Sequence, residues 1–357
     1  VNVLLLLAHS IAEYDDLRML TDLGYDVFSI GAYTDPRNPG DDKRPALPQA
    51  PWHPELAALV AGDQMRHKGH LPADLIDWAD VIIAHHFVRE WLLGQWPRIR
   101  PRGGKRVIWR TCGQSDTRLE EVMTPLRADG LEVVRYSPAE RAFFEPTGRW
   151  AGEDALIRFG KYVDDYGPWD PEPLGGVLNV TQHMVDRGDW CGLTWYGMAT
   201  KGLAEEHGMP VRPAGPGSEK LPGGLGALAP DEMREYLRHG QAYLYTGTMP
   251  ASYTLGLIEA LLSGVPVVSI GRESWMGPDV LFEAPDLIAQ PDLAFDDPWA
   301  ANLMLREIQD SPRTGQAISR LQTTWARQLF DVQVVGRQWA DLLGEPARPI
   351  TEGDAVR

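Results

Sequence analysis

Residues 248–269 carry the most legible chemistry in this chain. A polar, proline-containing loop ends in Tyr253-Thr254-Leu255 and feeds an apolar helix that bears Glu259. The first amides of a helix lack intrahelical partners and sit at the positive end of its dipole, which suits a diphosphate. The backbone of Tyr253, Thr254 and Leu255 is therefore placed to meet phosphate or sugar oxygens. Glu259, about one turn further on, can accept hydrogen bonds from a ribose or sugar diol at the same end. Gly264 predicts the helix stop, and Pro266 with Val267-Val268 restarts the chain as a buried strand.

Several polar residues follow predicted strands in the first half of the chain. His9 follows residues 3–8, His85 and His86 follow 81–84, and Thr111, Gly113, Gln114 and Ser115 follow 106–109. A histidine at a strand end can act on a substrate, or it can pack or cap. The pairs His85-His86 and His67/His70 lack a third ligand of matching spacing, so no metal centre is expected. Asp-x-Asp, Walker A and Gly-x-Gly-x-x-Gly patterns are absent. Arg98, Arg100, Arg102, Lys105, Arg106 and Arg110 form the one dense basic segment. It reads either as a solvated loop before a strand or as a grip on a phosphate-bearing ligand.

These residues need elements to position them. Short apolar runs at 3–8, 26–30, 81–84, 106–109 and 132–136 alternate with helical patterns such as 12–23, 71–78 and 117–128. Such alternation predicts a parallel sheet with helices on both faces and ligands beyond the strands' carboxyl ends. Residues 145–175 are rich in Pro, Gly and aromatics and read as an inter-domain linker. A second series follows: strands at 176–180, 211 and 242–245, and helices near 193–206 and 231–239. Residues 317–343 read as one or two terminal helices.

The 357 residues suit about two domains, each with its own core. No apolar run reaches the ~20 residues of a membrane helix, and the opening run lacks a basic leader or cleavage site. Cys112 and Cys191 are the only cysteines, which fits a reducing cytoplasm better than a disulfide framework. A net charge of −16 disfavours broad nucleic-acid binding through counterion release, though it permits a local basic groove.

Glu259-Ala260 followed by Gly264-Val265-Pro266-Val267-Val268 resembles the donor-site signature of family 4 glycosyltransferases, enzymes of the GT-B architecture. That pattern begins with a further Glu, and Ala251 occupies its position. The stretch from Leu178 resembles the family's phosphate loop, with Gln182 at its Arg position and Arg187-Gly188 at its Lys-Gly position. A guanidinium can grip phosphate oxygens bidentately, with a solvated turn arginine as the alternative reading of Arg187. Gly215 and Gly217 match the family's Gly-x-Gly loop, or form a simple turn.

The resemblance implies α/β architecture with two Rossmann-like, doubly wound domains facing across a cleft and a C-terminal helix crossing back. Residues 1–160 would form the acceptor side, 161–325 the nucleotide-sugar side, and 326–345 the returning helix. It implies a hexosyltransferase that uses a nucleotide-diphosphate sugar, most simply a UDP-sugar, with retention and with neither metal nor other cofactor. His9, His85 and His86 are the catalytic candidates. Arg98, Arg100, Arg102, Arg110 and Gln114 are candidates for the acceptor, which could be a small molecule, a lipid phosphate or modified DNA. The alternatives are a bacteriophage-type enzyme acting on hydroxymethylated DNA bases, a non-catalytic nucleotide-sugar-binding scaffold and a sugar-nucleotide epimerase. Ala251 removes a polar contact to the sugar, which Ser252, Tyr253 or Thr254 would have to replace.

Overall fold

The computed structural model describes residues 1–7, 9–34, 47, 53–60, 71–85, 89–101, 103–113, 116–172, 175–274 and 281–344. The chain divides into two compact units. One comprises residues 1–161 together with the helix Val332–Leu343, and the other spans residues 162–331. Among the described residues, no helix is long and apolar enough to cross a membrane.

The first unit is built on β1 (Asn2–Leu7), β2 (Asp26–Gly31), β3 (Val81–His85), β4 (Arg106–Arg110), β5 (Glu132–Arg135) and β6 (Ala155–Leu156). They pair in parallel in the order β2-β1-β3-β4-β5-β6. Val3 to Leu7 and Val81 to Ala84 are buried at every position, because helices cover both faces of the sheet. Leu4, Leu6, Ile82, Val107, Trp109 and Val133 contribute to one of its cores. The chain leaves β1 to one side for β2 and returns on the other side for β3. The loops after β1 and β3 therefore diverge, and their carboxyl ends form the crevice where such sheets bind ligands.

The second unit repeats the plan with β7 (Val177–Val180), β8 (Val211–Ala214), β9 (Ala242–Tyr245), β10 (Val267–Ile270) and β11 (Ala294–Phe295). These are parallel in the order β11-β10-β9-β7-β8. Here the strand order reverses between β7 and β9.

Two expectations need correction. Residues 145–175 are not a plain linker: Ala155 and Leu156 extend the first sheet as β6, and Phe159 and Lys161 are buried in the same unit. Trp169 packs against Gly264 and Gly315, and its indole N–H donates to the Gly240 carbonyl at 2.7 Å. The composition was misleading because aromatics among prolines had found cores to enter. The helical pattern at 193–206 breaks into Leu193–Ala199 and Leu203–His207. At the C-terminus, Pro312–Phe330 and Val332–Leu343 are separate helices, and the chain passes between units at Asp331.

Candidate functional site

The loops after β7 and β9, at the strand-order reversal, hold Gln182, Arg187 and residues 248–254. The helix Leu255–Ser263 starts at the end of the second loop, with Thr254 as its cap. The Thr254 hydroxyl accepts the Leu257 N–H at 3.4 Å, and the Thr254 N–H donates to the Tyr245 hydroxyl at 3.1 Å. The N–H groups of Leu255 and Gly256 have no protein acceptor among the described residues. A Cβ added at Gly256 would meet Val180 Cβ at 3.4 Å, so this helix end lies directly over the end of β7. Gly264 ends the helix at φ 78°, a left-handed conformation that an L side chain adopts at a cost.

Glu259 is 7% exposed, and its charge reaches the buried Tyr243 hydroxyl, which accepts the Val180 N–H at 3.3 Å. A carboxylate this poorly hydrated forms stronger hydrogen bonds than one in open water. Ala251 is buried, and its N–H donates to the Thr248 carbonyl at 2.8 Å. Tyr253 cannot replace a missing side-chain contact, because its ring is buried edge-on against Phe330 at 5.8 Å. Only its backbone remains for a ligand.

Arg187 ends the short helix Met184–Arg187 and is exposed, as is Gln182. The Cys191 thiol, pushed up by burial, lies in hydrogen-bonding reach of both Thr248 and Arg187. The Met249 N–H donates to the Trp190 carbonyl at 2.8 Å. These contacts stitch the two loops together and bring the guanidinium to the loop ahead of the helix. The loop after β8 closes on the same place. At Gly215, φ 108°, a Cβ would stand 3.2 Å from the Thr181 carbonyl oxygen, and at Gly217 one would stand 3.1 Å from His183 Cα. Both glycines therefore permit a close approach of backbones. The structure brings together Gln182, Arg187, Gly215, Gly217, Thr254, Leu255 and Glu259 at one end of one sheet.

Sequence reasoning missed His183, which lies between the two residues singled out on its loop. Its N–H donates to the Pro216 carbonyl at 2.7 Å, and its backbone sits at φ 54°. No local sequence signal announces a left-handed histidine.

The first unit treats its candidates less kindly. His9 caps the helix Ser10–Asp22, with Nδ1 accepting the Ala12 N–H at 3.4 Å. His85 is fully buried with Nε2 3.5 Å from Asp16 Oδ2, and burial lowers its pKa to about 4, so it is neutral at neutral pH. It supports an internal cluster and does not face solvent. His86, Arg102 and Gln114 lie outside the described residues, as do His67 and His70.

The basic segment is not a continuous patch. Arg110 is 0% exposed and is bound to the Asp16 carboxylate. Its Nη2 donates to the Arg158 carbonyl at 3.0 Å. Arg106 pairs with Glu132, Lys105 donates to the carbonyls of Ile76 and Ala79, Arg98 donates to Gln95 at 3.1 Å, and Arg100 lies 3.8 Å from Asp129. Most of these cations answer a neighbouring carboxylate or carbonyl, which a count of charges along the chain could not show.

No protein-family model matches the chain, and no curated protein matches it. Among solved structures, it is similar to sucrose-phosphate synthase from Thermosynechococcus elongatus, with a TM-score of 0.64, 12% identity and coverage of 96% of this chain and 98% of that one. It is also similar to HepE of Anabaena in complex with UDP, at a TM-score of 0.60, 15% identity and coverage of 96% and 99%. A third similar structure is an α-glucosyltransferase in complex with UDP and a 13-mer DNA containing an HMU base, at a TM-score of 0.58, 9% identity and coverage of 96% and 99%. The chain thus has the GT-B fold, with its two parallel α/β sheets.

Proposed function

We propose that this protein is a glycosyltransferase that moves a hexosyl group from a UDP-sugar to an acceptor, with retention and without a metal ion. The observation that carries the reading is the start of the helix Leu255–Ser263. Two amides without protein acceptors among the described residues, those of Leu255 and Gly256, share that helix with the poorly hydrated carboxylate of Glu259. The amides suit a diphosphate and the carboxylate suits a diol, so a nucleoside diphosphate fits both. UDP is favoured because HepE and the α-glucosyltransferase hold it in structures of the same fold. Retention rests on the resemblance of the 259–268 segment to the family 4 signature. The two cysteines, both free and buried, accord with a reducing cytoplasm.

In this mechanism the helix amides and Arg187 offset the charge that develops on the leaving diphosphate. The group arrives with its glycosidic bond to the diphosphate oxygen; that bond breaks as the acceptor's hydroxyl oxygen bonds the same carbon from the same face, and the hydroxyl proton passes to the leaving diphosphate oxygen. Transfer should therefore survive strong chelation. Loss of activity in EDTA, restored by Mn²⁺ or Mg²⁺, would transfer the leaving-group role to a metal.

The Arg106–Glu132 ion pair and the burial of Arg110 take two cations from the candidate phosphate grip, which supports an uncharged small-molecule acceptor over DNA or a lipid phosphate.

A thermal-shift series with UDP, GDP, ADP and UDP-sugars tests the assignment, since a ligand that binds the folded state raises its apparent stability. UDP and at least one UDP-sugar should raise the melting temperature. If no nucleoside diphosphate does so, the reading fails. If UDP binds but no UDP is released from any donor and acceptor pair, the chain is a scaffold.

A further inference from the structure

His183 is the one non-glycine residue in the loops after β7, β8 and β9 that is held in the left-handed region, at φ 54° and ψ 37°. An L residue adopts that conformation at a cost, and such strain persists only where the surroundings enforce it. Here they do. The Pro216 carbonyl accepts the His183 N–H at 2.7 Å, and the His183 carbonyl accepts the Arg187 N–H at 2.9 Å.

The same conformation fixes the ring. Nδ1 lies 3.6 Å from Asp186 Oδ2, and a Cβ at Gly217 would stand 3.0 Å from Nδ1, so the imidazole rests on that glycine. Lys220 Nζ holds both oxygens of Asp186, at 2.6 and 2.7 Å. With Nδ1 turned to the carboxylate, Nε2 is the ring's remaining donor. The side chain is 48% exposed. Its loop also carries Arg187, and Val180, the last residue of β7, touches the start of the helix Leu255–Ser263.

We propose that His183 is a second cationic ligand of the donor diphosphate, beside Arg187, and that Asp186 is its positioning residue. This rests on the nucleotide-sugar reading above. The imidazolium Nε2–H donates to a diphosphate oxygen, while Nδ1–H faces Asp186. The charged side chains on the elements packed around the ring are Asp186 and Arg187 on its own helix, and Glu219 and Lys220 on the turn Ser218–Lys220. Lys220 holds the Asp186 carboxyl below the usual carboxylate range.

A contact made by an imidazolium is strongest in acid and weakens as pH rises. The test is UDP affinity of the unaltered chain and of His183→Gly, measured from about pH 5.5 to about pH 8. Glycine accepts the left-handed backbone, so the loop keeps its shape. UDP's own terminal phosphate titrates in this range, so a UDP-sugar, which lacks that ionisation, is titrated alongside it as a control.

The unaltered chain should bind UDP roughly 10-fold more tightly than the variant at the acid end, with the ratio falling toward about 1–3 at the alkaline end. Asp186→Asn should move the midpoint of that fall to lower pH, because the ring loses an anionic neighbour. A ratio that does not change with pH, or equal affinities throughout, overturns the role of His183. An unmoved midpoint overturns that of Asp186. If the unaltered chain fails to bind UDP at any pH, the nucleotide-sugar reading falls first and takes this proposal with it.

Discussion

Arg110→Ala should destabilise the first unit by about 3–5 kcal/mol at neutral pH, the usual cost of leaving a buried charge unpaired. Arg110 and Asp16 are both buried, and the guanidinium lies over Phe159 at 4.7 Å and Trp339 at 5.2 Å. Burial pushes the Asp16 carboxyl up, but Arg110 and His85 more than offset it and hold it below its ordinary value. Without Arg110, burial is opposed by His85 alone and the carboxyl pKa rises. The native chain's contribution from Asp16 is present above the unfolded carboxylate pKa and is lost as pH falls through the folded one. In the variant the sign is reversed: the penalty is present at neutral pH and is relieved as Asp16 takes up a proton.

The gap between the two proteins should therefore narrow in acid. Denaturant unfolding at neutral and acid pH measures both effects. A double change to apolar residues, Asp16→Leu with Arg110→Met, should cost less than Arg110→Ala, because it leaves no orphaned charge. A loss under about 1 kcal/mol for Arg110→Ala would mean that water reaches Asp16 and replaces the lost partner.

Glu259→Gln should weaken UDP binding by roughly 1–3 kcal/mol, or about 5- to 150-fold, the range for hydrogen bonds to a charged group. The carboxylate is poorly hydrated and stands on the helix whose first amides have no protein acceptor among the described residues. Calorimetric titration with UDP reads the affinity, and a melt of the free protein reads the stability. Affinity should fall while the melting temperature changes little. Unchanged affinity with a large drop in melting temperature would make Glu259 a structural residue, and would leave the ligand's diol without a partner on this helix.

Much of the second unit was legible because its signals are local. A polar, proline-containing loop ahead of an apolar run, Gly264 behind it and Val267-Val268 after a proline mark a helix start, a stop and a buried strand. The helix runs over Leu255–Ser263 accordingly, followed by β10. The strands at 26–30, 81–84 and 106–109 were found to within a residue for the same reason. Hydrophobic period and capping depend on residues a few positions apart, and the chain carries that information in order.

Exposure and partnership do not travel that way. Arg98, Arg100, Arg106 and Arg110 are alike in sequence. One pairs with Glu132 across neighbouring strands, another with Asp129, and another is enclosed by Asp16, Phe159 and Trp339. Trp339 lies at the far end of the chain, and no window around Arg110 contains it. His9 and His85 were equal candidates until the fold made one a helix cap and buried the other. The left-handed backbone of His183 likewise depends on Pro216, supplied by the neighbouring strand's loop.

From its sequence alone, this protein was an alternating α/β chain with a diphosphate-ready helix start and a carboxylate one turn behind it. Only the tertiary structure decided which of its charges remain available to a ligand. A charge keeps its reach only where the fold leaves it without an opposite charge and in contact with water, and both conditions are set by residues distant in the chain.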